Sequence, residues 1–286
     1  MQLRLLRRNP VSVLFTVALP LLLLPLLDAL QGDFFVTLPA APPGPDQLSP
    51  WMQYATPAIA AFAVMAACFA NLAIRTAVAR ESGVLKQVRG TPLPPAAHIA
   101  GRLLSNALVA LLVAAVTLGA GVFVYDVEVP LRSVPIIALL VVLGATVFSA
   151  LGLATTTIVP NADAAPAVVY AILLPLAFLS NVFYPPELAP DWMSRTADAL
   201  PLGPFVSAMV GATTPTAQGS GVLFGEIAAL VGWGVFGLTV ALVAFSWVPN
   251  RERARGSKAR LNTPMRRLAI PLGMLAALGG VLVPET

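Results

Sequence analysis

Six long, nearly uncharged stretches limit what this chain can become. They run over roughly 11–30, 57–76, 99–124, 133–155, 164–183 and 222–247. A helix that crosses the hydrocarbon core of a bilayer needs about 20 consecutive, mostly apolar residues. Charged or Pro-rich breaks separate most of the stretches. The fourth and fifth are divided only by VPNADAAP, 159–166, a tight Pro/Asn/Asp turn. Composition agrees. Of 286 residues, 58% are hydrophobic and 10% charged, whereas soluble domains carry roughly 25% charge. That is too little charge for a water-exposed surface. The expected fold class is an all-α integral membrane protein with six transmembrane helices.

The 17 Lys and Arg residues give the chain a direction. Three lie at the start (Arg4, Arg7, Arg8) and five around the second junction (Arg75, Arg80, Lys86, Arg89, Arg102). Seven follow the sixth stretch (Arg251, Arg253, Arg255, Lys258, Arg260, Arg266, Arg267). If the spans alternate, only Arg132 and Arg195 fall on the opposite side. Cytoplasmic loops hold the Lys/Arg excess. The N-terminus and the loops at 77–98 and 156–163 are therefore expected in the cytoplasm of a multi-pass cell-membrane protein. The segments 31–56, 125–132 and 184–221 are expected outside. The net charge of +4, placed this way, fits membrane lipids and not nucleic acid. The first thirty residues resemble a signal peptide in outline. Their apolar part is long for that role, and no A-x-A site follows directly. They read instead as a retained first span. Before it, Arg4, Arg7 and Arg8 share one helical face, which suits either a short interfacial helix or a plain basic flank.

Catalytic and cofactor signatures are absent. There is no G-x-x-x-x-G-K-[ST] phosphate loop, no H-E-x-x-H and no G-x-S-x-G. The one cysteine, Cys68, sits in an apolar run and reads as a packing residue. His98 stands alone at a helix edge. We assign no catalytic residue, no metal site and no cofactor held by this chain. Within the spans ionisable groups are scarce, as their insertion cost demands. Glu226 lies about one turn inside the sixth stretch. It suits placement at the outer interface, a pair with Arg195, or contact with a cationic substrate.

Residues 77–90 read AVARESGVLKQVRG. Val78, Val84, Leu85 and Val88 approximate an apolar helical stripe with charges on the other faces. Gly90 and Pro92 end it, and Pro94 and Pro95 delay resumption. The pattern predicts a short amphipathic helix in the cytoplasm. A solvated loop that merely fixes topology is the plainer alternative. It needs neither the stripe nor the rigid stop.

Four patterns in register carry a resemblance: RRNPVSVLFTVALPLLLL (7–24), ARESGVLKQVRGTPLPPAAHIAGR (79–102), SNVFYPPELAPDWM (180–193) and PLGPFV (201–206). The chain resembles the type-2 ABC exporter permeases over about residues 1–248. These are the membrane halves of transporters whose ATPase is a separate chain. The resemblance implies that Arg80, Glu81, Gly83, Leu85, Lys86 and Arg89 belong to a coupling helix docking into the ATPase, with Thr91 and Pro92 at its exit. It implies re-entrant helices at the outer mouth, between spans five and six, with Phe183, Tyr184, Pro185, Leu188, Pro190, Trp192 and Pro201 in them. Val84 and Asn181 depart from the family's usual Thr and Gly. The partners implied are two copies of a cytosolic ATPase, which would hold ATP and Mg, and a second permease copy or paralogue.

The segment 184–221 agrees with that picture on its own terms. Prolines 185, 186, 190, 201 and 204 cut it into short pieces too apolar for a free domain. In the sixth stretch, Gly221, Gly225 and Ala229 form a small-xxx-small series. Residues 249–286 form a second unit, with a basic run at 251–267 and 17 apolar residues at 268–284. The latter fits a seventh span, an interfacial helix or a partner-binding element. The reading is a permease subunit moving a lipid-like or amphiphilic substrate outward, driven by a partner's ATP hydrolysis. A polysaccharide exporter permease, a stand-alone secondary carrier and a membrane enzyme are the alternatives.

Overall fold

A computed structural model of the chain describes residues 18–29, 50–82, 95–186, 189–213 and 220–244, and every regular element among them is a helix. The first described helix, α1, is Ala18–Ala29. Next comes a rod of three consecutive parts: α2 (Pro50–Met65), a π-helical turn (Ala66–Ala70) and α3 (Asn71–Glu81). Helix α4 (Pro95–Tyr125) is followed by a 3₁₀ turn (Leu131–Ser133) and α5 (Val134–Thr155). Helix α6 (Ala165–Leu179), two short helices α7 (Asp191–Ala199) and α8 (Leu202–Thr213), and α9 (Ser220–Ala244) are the remaining described elements.

Among the described residues, four helical stretches are long and apolar enough to cross a membrane: Trp51–Glu81, Leu103–Tyr125, Leu131–Thr155 and Phe224–Ala241. They correspond to the second, third, fourth and sixth expected spans. The first and fifth are represented by the shorter apolar helices α1 and α6. Residues 11–17 of the first lie outside the described residues. Helix α6 stops at Leu179, four residues before the expected 183. The reason is backbone conformation: Asn181 adopts φ 55°, in the left-handed region that ends a helix.

The rod α2–α3 is central, with 83% of its most apolar window buried, against 17% for α9. It packs on α4, α5 and α8, while α9 runs along α5 from outside. Close approach of the rod to α5 requires Gly152, because a Cβ there would lie 2.6 Å from the Phe69 carbonyl oxygen. The π turn is at that crossing. Its polar neighbours are shared across three elements: Asn106 Nδ2 on α4 donates to Ser149 Oγ on α5 at 3.0 Å, and Cys68 Sγ lies 3.8 Å from the Asn106 carbonyl.

One expectation about the rod is corrected. The sequence separates a span at 57–76 from an amphipathic helix beginning at 77. In the structure α3 continues without a break to Glu81, and Ser82 closes it by donating to the Val78 carbonyl at 2.9 Å. No residue near 77 breaks the helix, so the helix propagates.

Candidate functional site

Hydrogen bonds between distant parts of the chain concentrate at the two ends of the bundle. At one end, the close of α3 meets the turn between α5 and α6. Arg80 is buried, 5% exposed. Its guanidinium donates through Nη1 to the Thr156 carbonyl at 2.9 Å and through Nη2 to the Val159 carbonyl at 2.7 Å. Thr156 is the residue that closes α5, so the cation sits where the helix dipole is negative and carbonyls lack helical partners. Beside it, Glu81 Oε2 accepts the backbone N–H of Ala162 at 2.6 Å. Asn161 Oδ1 accepts the Ala164 N–H at 2.8 Å and shapes the entry to α6. Ala77, Val159 and Ala165 form a small apolar cluster beneath, flanked by Ile74 and Val168.

Arg80 is therefore turned into the chain and not outward toward a partner, as the resemblance implies for it. The local reason is plain. The forked guanidinium offers two nitrogens in a fixed plane to two separate carbonyls, a geometry that lysine's single ammonium lacks. Glu81 is exposed but already engaged. Gly83, Leu85, Lys86, Arg89, Thr91 and Pro92 lie outside the described residues.

At the opposite end, α2 begins beside the close of α6, the loop after α4 and the end of α8. Gln53 Nε2 donates to the carbonyls of Glu128 at 2.9 Å and Thr213 at 3.2 Å, and its Oε1 accepts the Glu128 N–H at 2.9 Å. Tyr54 Oη donates to the carbonyls of Asn181 and, at 3.1 Å, Tyr184. Tyr184 Oη in turn donates to the Phe178 carbonyl, and burial pushes its phenol above its ordinary value, so it remains a donor. Phe183 packs between Phe178 and Phe62, with ring centroids 5.0 and 6.1 Å away. These aromatics fasten the turn after α6 to α2. Ser180 Oγ and Asn181 Oδ1 are buried there without a hydrogen-bond partner.

Pro185 is half-buried, and Pro190 is exposed where it introduces α7. Trp192 on α7 is 61% exposed. Pro201 is buried in the sharp bend between α7 and α8. That bend requires Gly203, because a Cβ would fall 2.0 Å from the Ala197 carbonyl oxygen. Leu188 lies outside the described residues. Helix α8 is the deepest part of this region. Leu202, Phe205, Val206 and Met209 are all buried, and Phe205 meets Phe148 of α5 edge-on at 5.5 Å. Glu226 on α9 is half-buried within the span Phe224–Ala241. No ion pair joins it to Arg195, which is exposed.

Gln53, Tyr54, Asn106 and Ser149 were not singled out by sequence. All are uncharged polar residues within or bordering apolar stretches, and that position is the signal that marks them. Among the described residues no group of three or more His, Cys, Asp and Glu is arranged to hold a metal.

Comparison with known proteins adds two findings. The sequence model of the ABC-2 type transporter family matches residues 1–213. A daunorubicin resistance ABC transporter permease protein of Streptomyces coeruleorubidus is 28% identical over 200 residues, which cover 68% of this chain and 65% of that protein. The match thus spans just under two thirds of the relative's length. No solved structure matches the chain.

Proposed function

The chain belongs to the ABC-2 type transporter family, and from that premise we propose that it is the membrane-spanning half of an ATP-driven exporter. It spans the cell membrane six times with its N-terminus in the cytoplasm. A second permease, identical or paralogous, completes the pathway, and two copies of a cytosolic ATPase supply ATP, Mg and force. The cargo is lipid-like or amphiphilic, such as a drug, glycolipid or lipid-linked product. The observation that carries this is family membership along most of the chain, from the first span through α8. A relative named for daunorubicin resistance supports a drug-like cargo. The apolar faces of the long helices suit a substrate that enters from the bilayer.

The segment after Ser82 is the docking element, with Leu85, Lys86 and Arg89 as its contacts. Thr91 and Pro92 form its exit. The broken helices α7 and α8 close the outer mouth, where Phe183, Tyr184, Pro185, Pro190, Trp192 and Pro201 stiffen the turns. Glu226, half-buried on α9, is where a cationic group on the cargo would be met.

The test is association with a co-expressed ABC ATPase, at matched membrane abundance. Leu85→Asp places a carboxylate on the apolar stripe, and Arg89→Glu reverses a charge. Each is expected to weaken pull-down by an amount corresponding to about 2–5 kcal/mol, as breaking a desolvated interfacial contact does. Topology is preserved because Arg75, Arg80, Lys86 and Arg102 retain the local excess. Wild-type pull-down in both variants would make the segment a solvated loop.

A further inference from the structure

The Arg80–Glu81 contact is built more strongly than helix capping alone requires. Two consecutive side chains on α3 hold three backbone groups spread over the 156–162 turn. A buried guanidinium must keep its donors satisfied, because leaving a buried charge unpaired is far costlier than the hydrogen bonds are worth. Separating α3 from this turn is therefore disfavoured. The turn is also stiff in itself. Thr156, Thr157 and Ile158 donate back to Leu153, Ala154 and Thr155, and Ala165 donates to Ala162 as α6 begins.

Beyond the turn, α6 packs against the rest of this chain along one face. Tyr170, Leu174 and Phe178 are half or more exposed at four-residue spacing along its outer face. Its inner face packs on α3, the π turn, α7 and α8. A short helix that begins at a stiff turn is displaced with that turn, and the displacement reaches the aromatic fastening to α2 at its far end.

We infer that Arg80 and Glu81 are positioning residues that join α3 to the α5–α6 turn as one mechanical unit, so that displacement of the chain just after Ser82 is transmitted to α6. This rests on the proposed coupling role of the segment that follows. It differs from that role in its contacts: Arg80 and Glu81 act inside the permease, and the ATPase touches other residues. The acceptor at 81 therefore matters most, and its charge adds support to the neighbouring Arg80 guanidinium.

The experiment uses the full permease with its ATPase, in a Cys68→Ala background carrying Ala177→Cys near the far end of α6. Ala177 is buried, 1% exposed. Labelling of residue 177 by a maleimide is read with and without trapping by ATP and vanadate. In the parent complex, trapping is expected to change the labelling rate by about fivefold or more, the lower range of ordinary coupling between sites. Arg80→Lys, which keeps the charge but lacks the fixed fork that reaches both carbonyls, and Glu81→Ala should abolish that change while leaving ATPase pull-down intact. Glu81→Gln keeps an acceptor for the Ala162 N–H and should preserve it. If the Arg80 variant does not reach the membrane, the Glu81 pair decides, since Glu81 is exposed.

A nucleotide-driven change that survives in Glu81→Ala overturns the inference. So does a lower melting temperature with the change intact, which is the mark of a purely structural contact. Loss of pull-down in Glu81→Ala and Glu81→Gln alike would place Glu81 on the ATPase and also overturn it. Failure of the parent permease to bind any ATPase would refute the exporter reading itself, a result distinct from all of these.

Discussion

Asn181 shows how one residue decides where a helix ends. Its φ of 55° carries the chain out of α6 and aims its carbonyl at the Tyr54 hydroxyl. Left-handed backbone costs an ordinary L-residue about 1–2 kcal/mol and asparagine less. Glycine, which the resembled family usually has here, adopts it freely. Asn181→Gly is expected to change thermal stability in detergent by no more than about 1 kcal/mol. Asn181→Val, β-branched and so poorly suited to left-handed backbone, should lower it by about 1–2 kcal/mol. Equal melting temperatures for the Val and Gly variants would show that the backbone there is not strained. The sequence marks Asn181 only as a departure from a motif. The conformation that explains it is visible once Tyr54, 127 residues earlier, is seen to hold its carbonyl.

Among the elements, α8 and α9 make the useful contrast. Both are apolar, and composition alone does not distinguish them. Yet α8 is enclosed by α2, α5 and α9, whereas α9 lies along one side of α5. Phe205 is fully buried and Phe224 is 71% exposed. Phe205→Ala is expected to destabilise by about 3–5 kcal/mol through a cavity between α8 and α5. Phe224→Ala, at an already solvated or lipid-covered site, should change stability by no more than about 0.5 kcal/mol. Chemical denaturation of the two purified variants makes the comparison, and similar losses would contradict the placement of α8 in the interior. The sequence identifies α8 as a piece of broken, half-apolar chain. It cannot say that this piece is more deeply buried than a full-length span, because burial depends on neighbours from distant segments.

For the molecule as a whole, two kinds of observation divide the chain in the same way. The Lys/Arg count pairs the junction at 77–98 with the turn at 156–163, and the loop at 125–132 with the region after 184. The hydrogen bonds do likewise. Arg80 and Glu81 bind the 156–162 turn, while Gln53 and Tyr54 bind Glu128, Asn181, Tyr184 and Thr213 at the other end. The expected orientation places residues 2 and 255 in the cytoplasm. Single cysteines there, in Cys68→Ala, should resist an impermeant maleimide in intact cells and react after permeabilisation. Labelling of either in intact cells would sink the six-span arrangement.

Membrane class, the approximate position of the long helices and the sorting of loops into two sets were legible in the chain. All three follow from local quantities: apolar length against bilayer thickness, and the placement of cations along the chain. The motif resemblance, likewise local, pointed to the permease family. What required the folded arrangement was every contact that joins distant positions. Arg80 looked like one more cation in a basic junction. Its burial on the end of α5 depends on a turn more than 70 residues away. Gln53 and Tyr54 looked unremarkable for the same reason, as did the Asn106–Ser149 pair. An uncharged polar side chain in an apolar run costs little enough to pass unnoticed, and its partner is chosen by helix packing, which hydropathy and charge along the chain do not encode.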